Sequence, residues 1–255
     1  MQYRQKGEKG SDRIGVFMPN RLFLLILMSY TISKAITKTA SKTLTTLASA
    51  PSSSQIPLKV LNWNIDGLQV DADLHQRMNT VARDIRMCDA DIVCLQEVTG
   101  IFQRKLKKEL SGAYIFFPQP NDETHIVDVP YYTMILTKKS SIEVMSYGRQ
   151  SFQNSRSMMG RDLLSLLFRK TYAGRYSCPV LITTSHLESQ AQSKDIRMEQ
   201  YRELLGLLKE KNDHLAQIAC GDFNLRVAED KEIRLIVPYY ASFDFNCNLC
   251  IIIWK

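Results

Sequence analysis

Four short polar clusters hold the residues that could do chemistry. The first is Asn62-Trp63-Asn64-Ile65-Asp66-Gly67-Leu68. Asn64 and Asp66 are two residues apart, so on an extended backbone they point the same way. Gly67 permits a tight turn; an Asx-rich turn after a strand is the plain structural alternative. The second cluster is Leu95-Gln96-Glu97. A carboxylate straight after an apolar strand can hold a hard cation such as Mg²⁺, which prefers oxygen ligands and keeps several waters. It could equally be a solvated acid at a helix start. The third is Thr184-Ser185-His186-Leu187-Glu188-Ser189, where His186 could donate a hydrogen bond to a phosphoryl oxygen as charge builds. The fourth, Cys220-Gly221-Asp222-Phe223-Asn224-Leu225-Arg226, is the most specific. Gly221 allows close backbone approach. Asp222 can orient or deprotonate water, Asn224 can bind phosphate without charge repulsion, and Arg226 suits a bidentate phosphate contact.

The elements that must position these clusters are short apolar strands, each ending where a cluster begins. Strands are expected at Leu58–Asn64, Asp91–Leu95, Tyr114–Phe117, Tyr132–Leu136, Leu163–Phe168, Val180–Ser185 and Gln217–Cys220. A hairpin is expected around Lys170–Ser177. Apolar residues at helical spacing predict helices over Leu74–Met87, Ile101–Leu110 and Asp195–Lys211, the last with Ile196, Tyr201, Leu204, Leu205 and Leu208 inward. Strand ends place rigid polar groups at one rim of a sheet. Mixed strands and helices with antiparallel signals predict an α+β fold of packed sheets.

Taken in order, Asn-x-Asp, Gln-Glu, Ser-His and Gly-Asp-x-Asn resemble the endonuclease/exonuclease/phosphatase superfamily. The spellings WNIDGL, LQEV, SHLES and GDFNLR resemble its 5′-tyrosyl-DNA phosphodiesterase branch. Tyr131-Tyr132-Thr133-Met134-Ile135-Leu136 and Arg197-Met198-x-Gln200 agree with it. The abasic-site endonuclease and deadenylase branches look similar at LQE and GDxN but typically lack IDGL and the final Leu-Arg. The resemblance covers about residues 58–226. It implies a four-layer α/β/β/α sandwich of two packed β-sheets. It implies one Mg²⁺ or Mn²⁺ held by Glu97 and, directly or through water, by Asp66. Asp222 would be the acid/base residue, and Asn64, His186 and Asn224 would contact the scissile phosphate. The 5′ end of the DNA would be lined by Asn64, Ile65, Asp66, Gly67 and Leu68, with Tyr131 close by. His186, Leu187, Glu188, Ser189, Gln190 and Ala191 would add a second segment, and Asn224, Leu225 and Arg226 a third. The implied substrate is a DNA 5′ end carrying a tyrosyl or peptide adduct left by a topoisomerase, and the implied location is the nucleus.

The net charge of +7 is uneven. Residues 1–56 hold eight Lys/Arg against Glu8 and Asp12, so the remainder is close to neutral and a globally basic nucleic-acid face is not expected. The Leu22–Met28 run is about a third of a membrane-spanning length, so no stable span is expected. Ser29–Gln55 has no acidic residue and resembles a transit peptide, which leaves mitochondrial or secretory entry as alternatives to a disordered leader. Pro51–Gln55 reads as a linker. The six cysteines are scattered, and the lone Cys247-Asn-Leu-Cys250 has no further zinc ligands after it.

Three parts are therefore expected: a basic leader over 1–56, the phosphodiesterase-type domain over 57–237, and a divergent apolar tail over 238–255. The family pattern continues after GDxN with further strands and a Ser-Asp-His. Here the histidines are His75, His125, His186 and His214, none after Asp222. The domain is thus expected to be incomplete, with an uncovered edge on its second sheet and weak or no turnover. A non-catalytic form that binds DNA ends or protein partners is one alternative. Another nuclease of the same superfamily is a further one.

Overall fold

The computed structural model describes residues 25–30, 43–45, 58–119, 130–153, 159–210, 216–226, 228–229, 242–244 and 249–254. The expected Pro51–Gln55 linker, most of the acid-free stretch before it, and Cys247 lie outside those residues.

Successive side chains on a strand point to opposite faces, and that alternation sorts the core into layers. On β3 (Leu58–Asn64), Leu61 and Trp63 face one apolar cluster while Leu58 and Val60 face another. On β4 (Ile92–Val98), Val93 and Leu95 divide from Ile92 and Cys94 in the same way. The odd-numbered set packs under α1 (Leu74–Cys88) and α2 (Gly100–Leu110). The even-numbered set meets a second sheet, through Leu164, Leu166 and Phe168 of β8 (Asp162–Tyr172), Ile182 of β10 (Val180–His186), and Ile218 and Cys220 of β11 (Ala216–Asp222). A third cluster joins Ala219 and Phe223 to Met198, Tyr201, Leu204 and Leu208 of α3 (Lys194–Glu210). The layers run helix, sheet, sheet, helix, which is the expected sandwich.

The helices follow from spacing and caps. α1 buries Met78, Val81, Ala82, Ile85 and Cys88, and ends where Asp89 turns left-handed at φ 50° and returns its N–H to the Ile85 carbonyl. α2 starts at Thr99, whose hydroxyl accepts from the Phe102 N–H at 3.5 Å. α3 departs from expectation. Ile196 and Leu205 are only half-buried, and the polar Arg197 and Gln200 are buried in their stead.

The first sheet has the order β2 (Thr43–Thr45), β1 (Leu25–Tyr30), β3, β4, β6 (Tyr132–Lys138), β5 (Tyr114–Phe117). The second has β12 (Ser242–Asp244), β13 (Leu249–Trp254), β11, β10, β8, β7 (Ile142–Ser151), with β9 (Arg175–Tyr176) folded onto β8 as the expected hairpin. β3 and β4 are parallel, with Asn64 opposite Gln96. β10 and β11 are parallel, with His186 opposite Asp222. All four therefore bring their C-terminal ends to one rim.

One expectation needs correction. The second-sheet edge beside β11 is not bare. β13 pairs with it antiparallel, Ile218 opposite Ile253, because the Ile-rich run Leu249–Trp254 is a good strand former. Much of the apolar Leu22–Met28 run enters β1, which pairs parallel with β3 from Leu25 opposite Leu58. Among the described residues, no helix is long and apolar enough to cross a membrane.

Candidate active site

The seam between the sheets changes character along its length. Its middle is apolar. Toward the rim the same even-numbered faces carry Asn62, Gln96 and Thr184, all fully buried. The Gln96 amide donates to Asn62 Oδ1 at 2.8 Å and to Thr184 Oγ1 at 3.1 Å, and Asn62 Nδ2 donates to the Gly221 carbonyl at 3.2 Å. This amide layer spans both sheets and fixes the height of one rim against the other. Buried hydrogen bonds of this kind are costly to break singly.

One step higher lie Asn64, His186 and Asp222. Asn64 Nδ2 donates to Asp222 Oδ2 at 2.8 Å and to Glu97 Oε1 at 3.1 Å, while its Oδ1 accepts the Asp66 N–H at 3.0 Å. The Asn64 amide is therefore a bridge between two carboxylates. Glu97 is out of phase: by strict alternation it would share the helix-covered face of Leu95. The pairing of β4 with β6 shifts register between Leu95 and Val98, and Glu97 has a left-handed φ of 58°. This bulge turns the carboxylate to the seam. Asp66 and Asn224 are left-handed too, each at φ 50°. Among the described residues, three of the five non-glycine residues with positive φ thus sit at this rim. Two glycines allow the close approaches. A Cβ on Gly67 would lie 2.0 Å from the Glu97 carbonyl oxygen, and one on Gly221 would lie 2.1 Å from that of Ser185.

His186 Nε2 stands 3.8 Å from Asp222 Oδ2. Its Nδ1 lies 2.9 Å from Arg161 Nη1. A guanidinium can only donate, so Nδ1 is the acceptor and the imidazole proton is on Nε2, facing the rim. Burial, and then the Arg161 charge, hold His186 well below its ordinary pKa, so the ring is neutral. Arg161 also stands over the Tyr131 ring, 5.2 Å from its centroid, and the Tyr131 and His186 rings are 6.4 Å apart. Burial pushes Asp222 up to about 6, against hydrogen bonds from Asn64 and the Asn224 N–H; the nearby Glu97 charge raises it further.

The expected site residues divide in two. Asn64, Asp66, Glu97, His186, Asp222 and Asn224 gather at the rim, with Tyr131 beside them. Asn224 Nδ2 donates to the Leu187 carbonyl at 3.0 Å, which joins the second and third expected segments. Leu68, Gln190, Ala191 and Arg226 are exposed nearby, with Ser189 partly so. Ile65, Leu187 and Leu225 are buried in the apolar clusters, and Glu188 is buried as well. Gly67 serves the approach to Glu97. Arg161 was not among the expected residues, and Asn62, Gln96 and Thr184 had no assigned role. An arginine ahead of an apolar strand reads as solvated, so spacing gave no signal for Arg161.

The donors fit a divalent cation. Among the described residues, neither Glu97 nor Asp66 forms an ion pair, and no three His, Cys, Asp or Glu side chains close a cage. A carboxylate held at the mouth of the seam by a neutral amide is an oxygen donor of the kind Mg²⁺ accepts.

Residues 61–231 match the Endonuclease/Exonuclease/phosphatase family. The chain belongs to that family. Within it, tyrosyl-DNA phosphodiesterase 2 of Mus musculus is 31% identical over 189 residues, covering 72% of this chain and 47% of the relative. That of Danio rerio is 30% identical over 172 residues, covering 68% and 42%. A crystal structure of the Danio rerio protein complexed with single strand DNA product has a TM-score of 0.56 at 29% identity, covering 68% of this chain and 63% of that one. The relatives support the tyrosyl-DNA phosphodiesterase branch. The chain spans about half the length of the curated relatives it matches.

Proposed function

We propose that this family member is a metal-dependent phosphodiesterase of DNA repair that hydrolyses the 5′-phosphotyrosyl bond between a topoisomerase remnant and a DNA end. The observation that carries the reading is the Asn64 amide bridging Asp222 and Glu97 at the mouth of the seam, beside a neutral His186. The similarity to relatives named for this activity supports the substrate. Location in the nucleus follows from the same reading.

In this reading the scissile phosphate sits above Asn64, His186 and Asn224. Asp222, ionised above about pH 6, orients a water and takes its proton. His186 Nε2–H donates to a phosphoryl oxygen as charge accumulates there, and Arg161 fixes that tautomer. Mg²⁺ or Mn²⁺ bound at Glu97, with Asp66, would act as a Lewis acid on the phosphoryl group. Asn64 keeps Asp222 and Glu97 apart and oriented.

The test uses the 255-residue chain with Mg²⁺ and an oligonucleotide carrying a 5′-phosphotyrosine. Slow release of free tyrosine, leaving a 5′ phosphate, is expected, with loss in chelator. Incision of abasic duplex without tyrosine release would move the chain to another branch of the family. Equal rates for wild type and Glu97→Gln would remove the assignment of the site.

A further inference from the structure

Arg197 lies on the first turns of α3 and is 0% exposed, which is rare for an arginine. Every nitrogen of its guanidinium is hydrogen-bonded. Nε and Nη2 donate to Glu229 Oε2 and Oε1 at 3.0 and 2.5 Å, while Nη1 donates to the Glu188 and Gln190 carbonyls at 2.9 and 3.0 Å. Gln200, one turn along the helix, accepts the Glu188 N–H at 3.0 Å. Glu229 in turn holds the segment after Asp222: its Oε2 accepts the Arg226 N–H at 3.0 Å, and Arg226 Nη1 is 3.6 Å from its Oε1. Arg226 Nη2 donates to the Ser189 carbonyl at 3.2 Å. Burial works against ionisation of Glu229, yet hydrogen bonds from Arg197 and the Arg226 N–H hold the carboxyl below its ordinary range.

One buried ion pair thus ties together two segments that leave neighbouring strand ends, 186–190 and 222–229. Both carry residues of the rim. The pair touches none of Asn64, Glu97, His186 or Asp222. What it fixes directly is Arg226, whose side chain is 44% exposed and whose backbone lies two residues beyond Asn224. A guanidinium there, held on its inner side by Glu229 and Ser189, has its outward donors free of conformational search.

We propose that the Arg197–Glu229 pair is a positioning clasp that presents Arg226 to the DNA phosphate next to the scissile one, and so sets affinity for the strand. The clasp rests on the DNA-end reading above. A preorganised guanidinium loses less freedom on binding than a mobile one, and that difference appears as affinity. A pair that served only to stabilise the fold would leave the number of phosphate contacts unchanged.

The experiment measures binding of the full chain to a 5′-phosphorylated single-stranded oligonucleotide by fluorescence anisotropy, in chelator, across a salt series. Glu229→Gln is expected to weaken binding about tenfold and to lower the slope of log affinity against log salt by about 0.7, the loss of one phosphate contact on a single strand. Arg226→Ala is expected to do the same, and the double variant to bind no more weakly than Arg226→Ala alone. If Glu229→Gln does not fold, Arg197→Lys, which keeps the buried charge and loses the fork, gives the same reading. Unchanged slopes, or losses that multiply in the double variant, overturn the clasp and leave the DNA-end reading standing. A wild-type chain with no salt-dependent binding overturns both.

Discussion

The two ends of the inter-sheet seam treat a buried carboxylate in opposite ways. At the lower end, Asp91 is fully matched: Lys170 Nζ pairs with it, the Lys59 N–H donates at 2.8 Å, and Ser141 Oγ donates at 2.7 Å. At the upper end, Asp222 and Glu97 stand near each other with a neutral amide between them and a neutral imidazole alongside. The lower carboxylate closes the sandwich. The upper two carboxylates have one nearby cation, Arg161 behind the imidazole, so the pair is left net negative, which a bound metal ion would balance. One architecture, two packed sheets with a polar seam at each end, yields a structural joint at one rim and a reactive one at the other.

The contrast can be broken most deeply at the upper end. Asp222→Asn keeps the shape of the side chain and removes its charge, so turnover should fall at least about a thousandfold while the circular dichroism spectrum is retained. Tyrosine release within tenfold of wild type would show that Asp222 is not the base. At the lower end the effect should be on stability alone. Lys170→Met leaves Asp91 buried without its countercharge and should destabilise the fold by about 3–5 kcal/mol in urea titrations. A loss below about 1 kcal/mol would mean that Ser141 and the Lys59 N–H suffice.

The sign reverses when stability is read at the upper end. The folded pKa of Asp222 is raised to about 6, so its favourable contribution is complete below its unfolded value and is lost as pH rises through about 6. In chelator, Asp222→Asn should therefore gain on wild type between pH 4 and 6 and hold its advantage at pH 8. Raising a carboxyl from its ordinary value to about 6 corresponds to about 3 kcal/mol. Excess Mg²⁺ should shrink the gap by favouring the ionised wild type. An Asn variant that is less stable than wild type at pH 8 in chelator would contradict the imbalance.

Much of this contrast was legible beforehand, and the gaps have physical causes. The four clusters were visible because each follows a short apolar strand, and alternation then places Asn64, His186 and Asp222 on one face. Glu97 was singled out for its residue type, yet nothing in LQEV shows that a bulge must rotate it. β7 escaped notice because its own bulge, between Val144 and Ser146, puts Val144, Met145 and Tyr147 out of phase. Arg161 and Arg197 were hidden for another reason. Sequence patterns read arginine as surface, and only a partner far along the chain, His186 or Glu229, reveals that it is buried. The apolar runs at 22–28 and 249–254 were ambiguous because six or seven apolar residues suit a strand as well as a signal segment or a loose tail.

The left-handed backbone at Glu97 sets foldability against function at a single residue. An L-residue with a Cβ pays about 1–2 kcal/mol there, whereas glycine adopts the conformation freely at some cost in unfolded-chain entropy. Glu97→Gly should therefore leave the melting temperature equal or raised by a few degrees in chelator; a clear fall would show that the Asn64 contact outweighs the strain. Selection for stability alone would drift toward glycine at this position and erase the carboxylate. Retention of glutamate in an active lineage then has to be maintained by turnover itself, so this position is where a lineage released from catalysis would change early.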